Sequence, residues 1–472
     1  MSITRRQFLK NCGLTAAAVG MFGADWRGAE AAATVVIDPA GPNLLLPNFA
    51  VLVTPGGQSA PTVPWAMVRT GQALQWHISV PQSGYYELGV TWRDSVLGWG
   101  MRAEVMLGDR VLAVLYDHSS SGAVRLQAGE YDVAVRNLYW PLVMVRSLFL
   151  ELTPAPFAEP VATFCVVQDW HTDAPAPPPS RPRLVGLYNC YPLPSEAPAC
   201  NHQILTSIQS LHPDFLVGNG DNVMWGSRTS LIDFAHLMSG LPFPWYATLG
   251  HHETRNMVGA RRFLKAAWGP AVPGDATWYY FDQAGIRFVF MDSAYFGAAN
   301  GAMFPFPSPD WIQVGCLPVE RAWLQAVLSD NRLGLRLPVV VFTHHTVPPY
   351  RPVPPTLAAV GAGYKTRPPG DAADMLAILG ADPNVRAVFS GHAHFQQVLT
   401  LGNITHVQGA ATGEGAMSYL RTLVFSDHLE VETYQPVSQN YLISSLIGLN
   451  GWVVGYPPDM NTSITLTPPS SG

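Results

Sequence analysis

The chain has 472 residues, of which 48% are hydrophobic and 13% are charged, and its formal net charge is −6. This length favours more than one domain. The composition is that of a folded protein and excludes a largely disordered chain. The acidic balance also argues against general binding of nucleic acids or anionic membranes, so a site that attracts phosphate must be local.

The first 31 residues have the pattern of an export signal. Two adjacent arginines in TRRQFLK precede a modestly apolar stretch, CGLTAAAVGMF, and the small-x-small sequence AEA ends at Ala31. The segment resembles a twin-arginine signal, which implies the twin-arginine export machinery as a partner; the alternative is a basic amphipathic start. The apolar stretch is too short to span a bilayer. Cleavage is therefore expected to release a periplasmic or extracellular bacterial protein with no membrane span and a net charge of −8.

Residues 32–152 are predicted to form a smaller, accessory all-β domain. Segments with period-two alternation, such as ALQWHISV and GYYELGVTW, are separated by Gly, Asp and Asn turn residues, a pattern typical of a β-sandwich. The phrases VMLGDRVLAVL and LQAGEYDVAVRN resemble jelly-roll modules of secreted enzymes, many of which bind carbohydrate. Trp76, Trp92 and Trp99 are either sugar-stacking platforms or, as we favour, core aromatics.

A Pro-rich segment without periodicity, residues 153–161, is predicted to be a linker. From residue 162 to residue 430, apolar runs alternate with helical segments such as NHQILTSIQSLH and VERAWLQAVLSD. This alternation indicates an α/β layered domain with strands buried on both faces. Three long Pro-rich inserts interrupt it and are expected to rim a functional crevice. Residues 431–472 form a C-terminal extension.

Five predicted strands of the second domain end in Asp or His. The pairs are VATFCVV before QDWHTD, PDFLVGN before GDN, PWYATL before GHHE, RLPVVVFT before HH, and VRAVFS before GHAH. In open α/β sheets the loops beyond the carboxyl ends of the strands meet at one crevice. A single His is more often a packing residue, but five such strand ends together predict a metal site. Oxygen and nitrogen ligands without thiolates suit Zn, Mn, Fe or Co.

In this order the five motifs resemble those of the calcineurin-like metallophosphoesterase superfamily, whose pattern is D-x-H, GD, GNH(D/E), H and GHxH. The resemblance extends over about residues 160–415 and includes the phrases YYFDQAGIRFVFMDS and LPVERAWLQAVL. It implies an αββα sandwich that holds two metal ions and hydrolyses a phosphate ester by attack of a metal-activated hydroxide. D-x-H rather than D-x-G in the first motif argues against the purple acid phosphatase type.

The resemblance implies two sets of metal ligands that share one bridging carboxylate, Asp221. The residues that it assigns to the first ion are Asp169, His171 and His394. The residues that it assigns to the second ion are His251, His344 and His392. His345 is the alternative to His344, which we prefer because of its position relative to the strand.

Two neighbouring residues are implied to be catalytic. His252 stands where the family keeps its catalytic histidine, and Glu253 stands where it keeps an acid that often orients that histidine. A histidine beside the metals has a pKa near working pH and can supply a proton to the leaving alkoxide. We therefore expect His252 to act on the leaving group and Glu253 to fix its tautomer.

His251 is the departure from the family pattern, because it stands where Asn is usual. Both side chains are neutral, and Nδ1 of His lies about as far from its own backbone as the amide oxygen of Asn. His251 is therefore expected to ligate through Nδ1. A nitrogen ligand shifts the metal preference toward Zn, Fe or Ni. The alternative is a weakened second site and a protein without activity.

Two classes of function stay open. The first is an exported dinuclear metal-dependent phosphoesterase that acts on a small-molecule or glycan-linked phosphate ester, with a diester favoured over a monoester by family analogy. Trp170, Trp225 and residues 278–280 lie near the motif loops and either hold an aromatic leaving group or pack. The second class is a non-catalytic exported protein that binds glycans and has a degenerate metal site. The number of metal ions per chain distinguishes the two.

Overall fold

The structure is a computed structural model of the whole chain. It describes residues 50–54, 66–69, 72–94, 103–115, 123–137, 142–153, 155–173, 197–254, 257, 259–296, 314–347, 369–394, 396–413, 417–436 and 460–467. The predicted export signal, Trp99 and most of the three Pro-rich inserts lie outside these residues. Among the helices of the described part, none has both the length and the apolar character needed to cross a bilayer.

The described part of residues 50–153 contains strands and turns. Its strands are β1 (Ala50–Thr54), β2 (Ala66–Arg69), β3 (Gln72–Val80), β4 (Gly84–Asp94), β5 (Ala103–Leu107), β6 (Arg110–Leu115), β7 (Ala123–Leu126), β8 (Gly129–Asn137) and β9 (Leu142–Leu152). In β8, Val133 and Val135 are fully buried while Asp132 is exposed, so alternate side chains point into the core. One sheet has the order β1-β9-β4-β7, with β2 on β9, and the other strands pair in the order β6-β5-β8-β3.

The second half of the chain contains two mixed sheets. The strands of the first are β10 (Ala162–Val167), β11 (Phe215–Asn219), β12 (Trp245–Thr248), β21 (Tyr419–Val424), β22 (His428–Tyr434) and β23 (Asn461–Thr465). The strands of the second are β13 (Tyr279–Gln283), β14 (Ile286–Phe290), β17 (Val339–Phe342), β18 (Val385–Ser390), β19 (Gln397–Leu401) and β20 (Ile404–Gln408). Strands β10, β11 and β12 are parallel, as are β14, β17, β18 and β20. A short ribbon joins β15 (Tyr295–Phe296) to β16 (Val314–Gly315).

The described part of this half also contains six α-helices. They are α1 (Ala197–Ser210), α2 (Arg228–Ser239), α3 (His251–Thr254), α4 (Ala260–Trp268), α5 (Pro318–Leu333) and α6 (Ala372–Gly380), with a 3-10 turn at Gly269–Ala271. Ser227 caps α2 by accepting a hydrogen bond from the backbone N–H of Ser230 at 3.1 Å. Helix α5 begins with proline at its first position, where no backbone donor is needed.

Strict alternation of side chains divides the second sheet into an inner and an outer face. In β17, Val340 and Phe342 pack into the core shared with the first sheet, whereas Val339 and Val341 pack with the apolar residues of α5 and α6. All four side chains are buried, which explains why the strand is apolar at every position. The described elements therefore stack as helix, sheet, sheet and helix.

Phe164 of β10 is the central residue of the core between the sheets. Its ring lies 5.5 Å from that of Phe288 and 6.0 Å from those of Phe342 and Phe389, in edge-to-face contact with each. Such pairs contribute about 0.5–1.5 kcal/mol each beyond the area that they bury. These contacts hold the two sheets face to face, so that β10, β17 and β18 end near one another.

The N-terminal β region and the C-terminal extension both join the first sheet. Strand β6 pairs with β22 through Thr433 and Tyr434, and β23 pairs with β22 along its length. The predicted boundary between residues 430 and 431 therefore falls inside β22. In the predicted linker, the carboxylate of Glu159 lies 3.0 Å from the guanidinium of Arg125, so this segment is tied to the β region.

Candidate metal centre

The five strand ends predicted to carry the chemistry lie at one edge of the two sheets. Strands β10, β11 and β12 end there in the first sheet, and β17 and β18 end there in the second. Ligand atoms of the predicted residues fall within 4.8 Å of one another in four overlapping groups. The residues brought together are Asp169, His171, Asp221, His251, His252, His344, His345, His392 and His394. The crevice expected from the strand order is therefore present.

The backbone at this edge is bent sharply into the crevice. Five residues of the site have positive φ angles, between 48° and 71°, which non-glycine residues rarely adopt. They are Asp169, His171, Asp221, His392 and His394. Each such conformation costs about 1–3 kcal/mol and persists only where the surrounding structure imposes it. The loops thus direct these side chains inward at the expense of local stability.

Two glycines of the motifs are required by close approach. A Cβ atom on Gly250 would collide with Oδ1 of Asp221, and one on Gly391 would lie 2.5 Å from Oδ2 of Asp169. Any side chain at either position would therefore displace a carboxylate of the site. This contact explains why glycine precedes the histidines of both GHHE and GHAH.

Asp169, His171 and His394 form the first group. Oδ2 of Asp169 accepts a hydrogen bond from the backbone N–H of His392 at 2.8 Å, which fixes the carboxylate. Its Oδ1 lies 3.1 Å from Nε2 of His394 and has no hydrogen-bond partner in the described structure. A buried carboxylate oxygen in this condition is unusual and fits a cation ligand.

Asp221, His251 and His344 meet in the second group. Oδ2 of Asp221 lies 3.2 Å from Nδ1 of His251 and 3.1 Å from Nε2 of His344. These three buried atoms have no hydrogen-bond partner within the described ranges. Nδ1 of His251 thus faces the carboxylate, in the orientation expected for a residue that replaces Asn. His344 donates from Nδ1 to the carbonyl of Asn219 at 3.1 Å, which leaves Nε2 directed inward.

The electrostatics of the site favour ionised carboxylates. Burial raises the pKa of Asp221, but His251, His344 and His252 together hold it well below its usual value. Burial lowers the pKa of His344, yet Asp221 and Asp169 raise it to about 9. Burial lowers the pKa of His251 well below its usual range, so this ring is neutral. Ionised carboxylates and neutral imidazoles are the forms in which these side chains bind metals, so His344 would release its proton when an ion binds.

His252 stands beside the metal groups, with its tautomer fixed by a backbone carbonyl. Its Nδ1 donates to the carbonyl oxygen of Met224 at 2.7 Å, and its Nε2 lies 3.8 Å from Oδ2 of Asp221. The ring centroid is 4.7 Å from that of His171. Nε2 is therefore the atom that faces the crevice.

The expected role of Glu253 requires a correction. Its buried carboxylate accepts hydrogen bonds from the backbone N–H groups of Asp221, Asn222, Val223 and Gly250, at 2.5–3.1 Å. Because these donors engage both oxygens, Glu253 holds the loop that carries Asp221. The Met224 carbonyl orients the ring of His252. A sequence motif does not show which backbone carbonyl accepts a hydrogen bond from a side chain. The sequence therefore predicted that the neighbouring acid, Glu253, orients His252.

The aromatic residues near the motifs have different environments. Trp170 is fully buried, and its Nε1 donates to Asn201 at 2.8 Å. Tyr279 is buried and bonds to the carbonyl of Ala247. Both are packing residues. Trp225 is 44% exposed and lies between Met224, whose carbonyl accepts a hydrogen bond from His252, and Gly226, where a Cβ atom would collide with the backbone carbonyl of His252.

The chain is similar to solved structures and matches one protein-family model. Among solved structures, the chain is similar to a dimetal phosphatase from Danio rerio (15% identity, 66% of this chain and 100% of that chain covered, TM-score 0.48). It is also similar to the purple acid phosphatase PPD1 from yellow lupin, Lupinus luteus (12% identity, 79% and 72% covered, TM-score 0.39). A search of curated proteins finds no match. The calcineurin-like phosphoesterase family model matches residues 162–396, the part of the chain that contains every residue of the four candidate metal groups.

Proposed function

We propose that this protein is a dinuclear metal-dependent phosphoesterase. The observation that carries the proposal is the convergence of Asp169, Asp221 and His344. Nε2 of His344 is buried and lies 3.1 Å from Oδ2 of Asp221 and 3.9 Å from Oδ1 of Asp169. In the described residues, these three atoms have no hydrogen-bond partner outside the proposed ligands. A set of oxygen and nitrogen donors in this condition fits divalent cations. The first ion would be held by Asp169, His171 and His394, and Asp221 would be shared.

His251, His344 and His392 would hold the second ion together with Asp221. When bound, the two ions would lower the pKa of a water molecule to near neutrality and stabilise the charge that develops around phosphorus. The two aspartates contribute a charge of −2 against the +4 of the ions. The site therefore keeps a positive charge that draws an anionic ester into an acidic protein.

His252 supplies a proton to the leaving group in this proposal. Since its Nδ1–H is held by the Met224 carbonyl, the ring presents Nε2 to the crevice. In the protonated imidazolium, Nε2–H donates to the departing alkoxide, and the ring then recovers a proton from water. Glu253 is a positioning residue in this proposal, because it holds the loop of Asp221 in place.

The finer features of the function belong to the same proposal. We propose a diester in preference to a monoester as substrate, from either a small molecule or a glycan, and export of the protein by the twin-arginine machinery. The N-terminal motif supports export. Trp225 supports contact with an apolar or aromatic leaving group, because it is exposed and directly follows Met224, whose carbonyl holds His252.

The experiment compares an aryl phosphate monoester with a bis-aryl phosphate diester on one metal-replete preparation of the mature protein. We expect turnover of the diester to exceed that of the monoester, chelators to abolish both, and added divalent metal to restore them. A metal-loaded protein that hydrolyses neither substrate, and no natural phosphodiester, would contradict the proposal. It would support the non-catalytic alternative.

A further inference from the structure

His345 lies in the same space as the proposed ligands of the second ion, although the motif needs only one histidine from this loop. It is 1% exposed and directly follows His344 after β17. Its ring centroid lies 4.6 Å from that of His392, 4.7 Å from that of His344 and 5.5 Å from that of His251. Four imidazoles from three different loops therefore surround one point.

The ligand atoms of these four rings are close enough for one ion. One ring nitrogen from each of His251, His344, His345 and His392 lies within 4.8 Å of the other three. Ligand atoms on opposite sides of an ion are about 4.2 Å apart, twice the bond length of about 2.1 Å. The four nitrogens are close to this spacing, and shifts of at most about 0.3 Å each would bring them into one coordination sphere.

The ring of His345 is oriented by a serine on the neighbouring strand end. Nδ1 of His345 lies 2.9 Å from Oγ of Ser293, and the same Oγ accepts a hydrogen bond from the backbone N–H of His345 at 3.1 Å. Nε2 of His345 is buried and finds no hydrogen-bond partner in the described part of the chain. This is the arrangement of a ligand imidazole, in which one nitrogen is held by the protein and the other is left for the metal.

We propose that His345 is an additional ligand of the second metal ion, through Nε2, with Ser293 as its positioning residue. The inference rests on the dinuclear site proposed above and adds to it. The second position then has four imidazoles and one carboxylate, Asp221. Such a nitrogen-rich set prefers Zn²⁺, Ni²⁺ or Co²⁺ to Mn²⁺ or Mg²⁺.

Metal binding by three proteins tests the inference: wild type, His345→Ala and the control His406→Ala. His406 is a buried histidine of β20 outside the four candidate metal groups, so its variant reports the cost of removing any buried imidazole. Metal-free protein is titrated with Zn²⁺ and with Mn²⁺ against a chromophoric chelator. We expect His345→Ala to weaken the second Zn²⁺ at least about tenfold and the second Mn²⁺ less, while His406→Ala binds as wild type does.

If wild type and His345→Ala both bind two ions with equal affinity, His345 is not a ligand, and the phosphoesterase proposal stays intact. Fewer than two ions in wild type would overturn both. If His345→Ala does not fold, a crystal structure of zinc-loaded wild type decides by anomalous scattering. The proposal expects Nε2 of His345 at about 2.1 Å from the second zinc, and a ring outside bonding distance contradicts it.

Discussion

The molecule has two buried clusters of charged side chains, and they are built in opposite ways. At the junction of the β region with the first sheet, Glu432 lies 2.9 Å from Arg110, and Glu104 lies 2.9 Å from Arg136. At the metal centre, Asp169 and Asp221 are equally buried, but the titratable groups beside them are imidazoles rather than guanidinium groups. At the junction, the negative charge of each carboxylate is balanced by a guanidinium group of the same chain. The carboxylates of the metal centre have no neighbour with a permanent positive charge among the residues named here.

The backbone conformation is regular in the junction cluster and strained in the metal centre. The junction residues lie on regular strands, whereas Asp169 and Asp221 have φ angles of 49°. Backbone strain and incompletely paired carboxylates both lower the stability of the folded protein when no ligand is bound. Their combination is therefore typical of a ligand-binding site. The charges of the junction are paired in the folded chain, whereas the proposed enzyme completes its metal centre by binding two ions.

The largest expected effect follows from Asp221→Asn. The substitution keeps the shape of the side chain and removes the charge that the two ions share. We expect turnover to fall on the order of a thousandfold and the metal content to drop below two ions per chain. Activity assays and elemental analysis of the same sample measure both. Two retained ions and full turnover would show that Asp221 is not the bridging ligand.

His252→Ala should separate chemistry from metal binding. We expect both ions to remain and turnover to fall about a hundredfold or more, since a proton donor is lost. The loss should be smaller for a nitrophenyl leaving group, which departs without a proton, than for an alkyl one. His252 also belongs to a group with His171 and Asp221 whose atoms are within metal reach. Loss of an ion would assign it to the ligands instead.

Glu432→Ala tests the other cluster. Removing this carboxylate leaves Arg110 buried without its partner, and we expect the free energy of unfolding to fall by about 3–5 kcal/mol. The folded fraction should still hold two ions and turn over substrate normally. Chemical denaturation with parallel metal analysis measures the two quantities. A fall in metal content at unchanged stability would show that the two clusters are not separate.

His251→Asn restores the residue that the family pattern has at this position. Since Asn offers an oxygen where Nδ1 of His251 now faces Asp221, the second position becomes less nitrogen-rich. We expect the ratio of Zn²⁺ to Mn²⁺ affinity at that position to fall about tenfold, with turnover retained. Competition titrations of wild type and variant decide, and an unchanged ratio would mean that His251 is not a ligand.

Trp225→Ala should give the smallest effect. We expect KM for a bis-aryl diester to rise about two- to tenfold with little change in kcat, because one aromatic contact is lost. Ile232→Ala is the matched control, since Ile232 is also an exposed apolar residue, on α2. An equal rise in both variants, or none in either, would remove Trp225 from the substrate contacts.

Much of the metal centre could be predicted from the sequence because strand order controls it. Each of the five apolar runs ends in its motif, and parallel strands bring their carboxyl ends to one edge whatever the loops between them do. The orientation of His251 could also be anticipated, because it depends only on the length of its side chain.

Three features could not be predicted, and all depend on tertiary contacts. The carbonyls of Met224 and Asn219, which orient His252 and His344, belong to the backbone and have no sequence signature. Three of the four donors to Glu253 come from a loop 30–32 residues away. The pairing of β22 with β6 joins segments more than 300 residues apart. Periodicity shows that such strands exist but not which partner they choose.

In the proposed enzyme, two metal ions complete the two buried, incompletely paired carboxylates. Elemental analysis of the mature protein, loaded with metal and then freed of excess, tests this most directly. We predict two ions per chain in wild type and in Glu432→Ala, and fewer than two in Asp221→Asn. One ion or none in wild type would contradict the account.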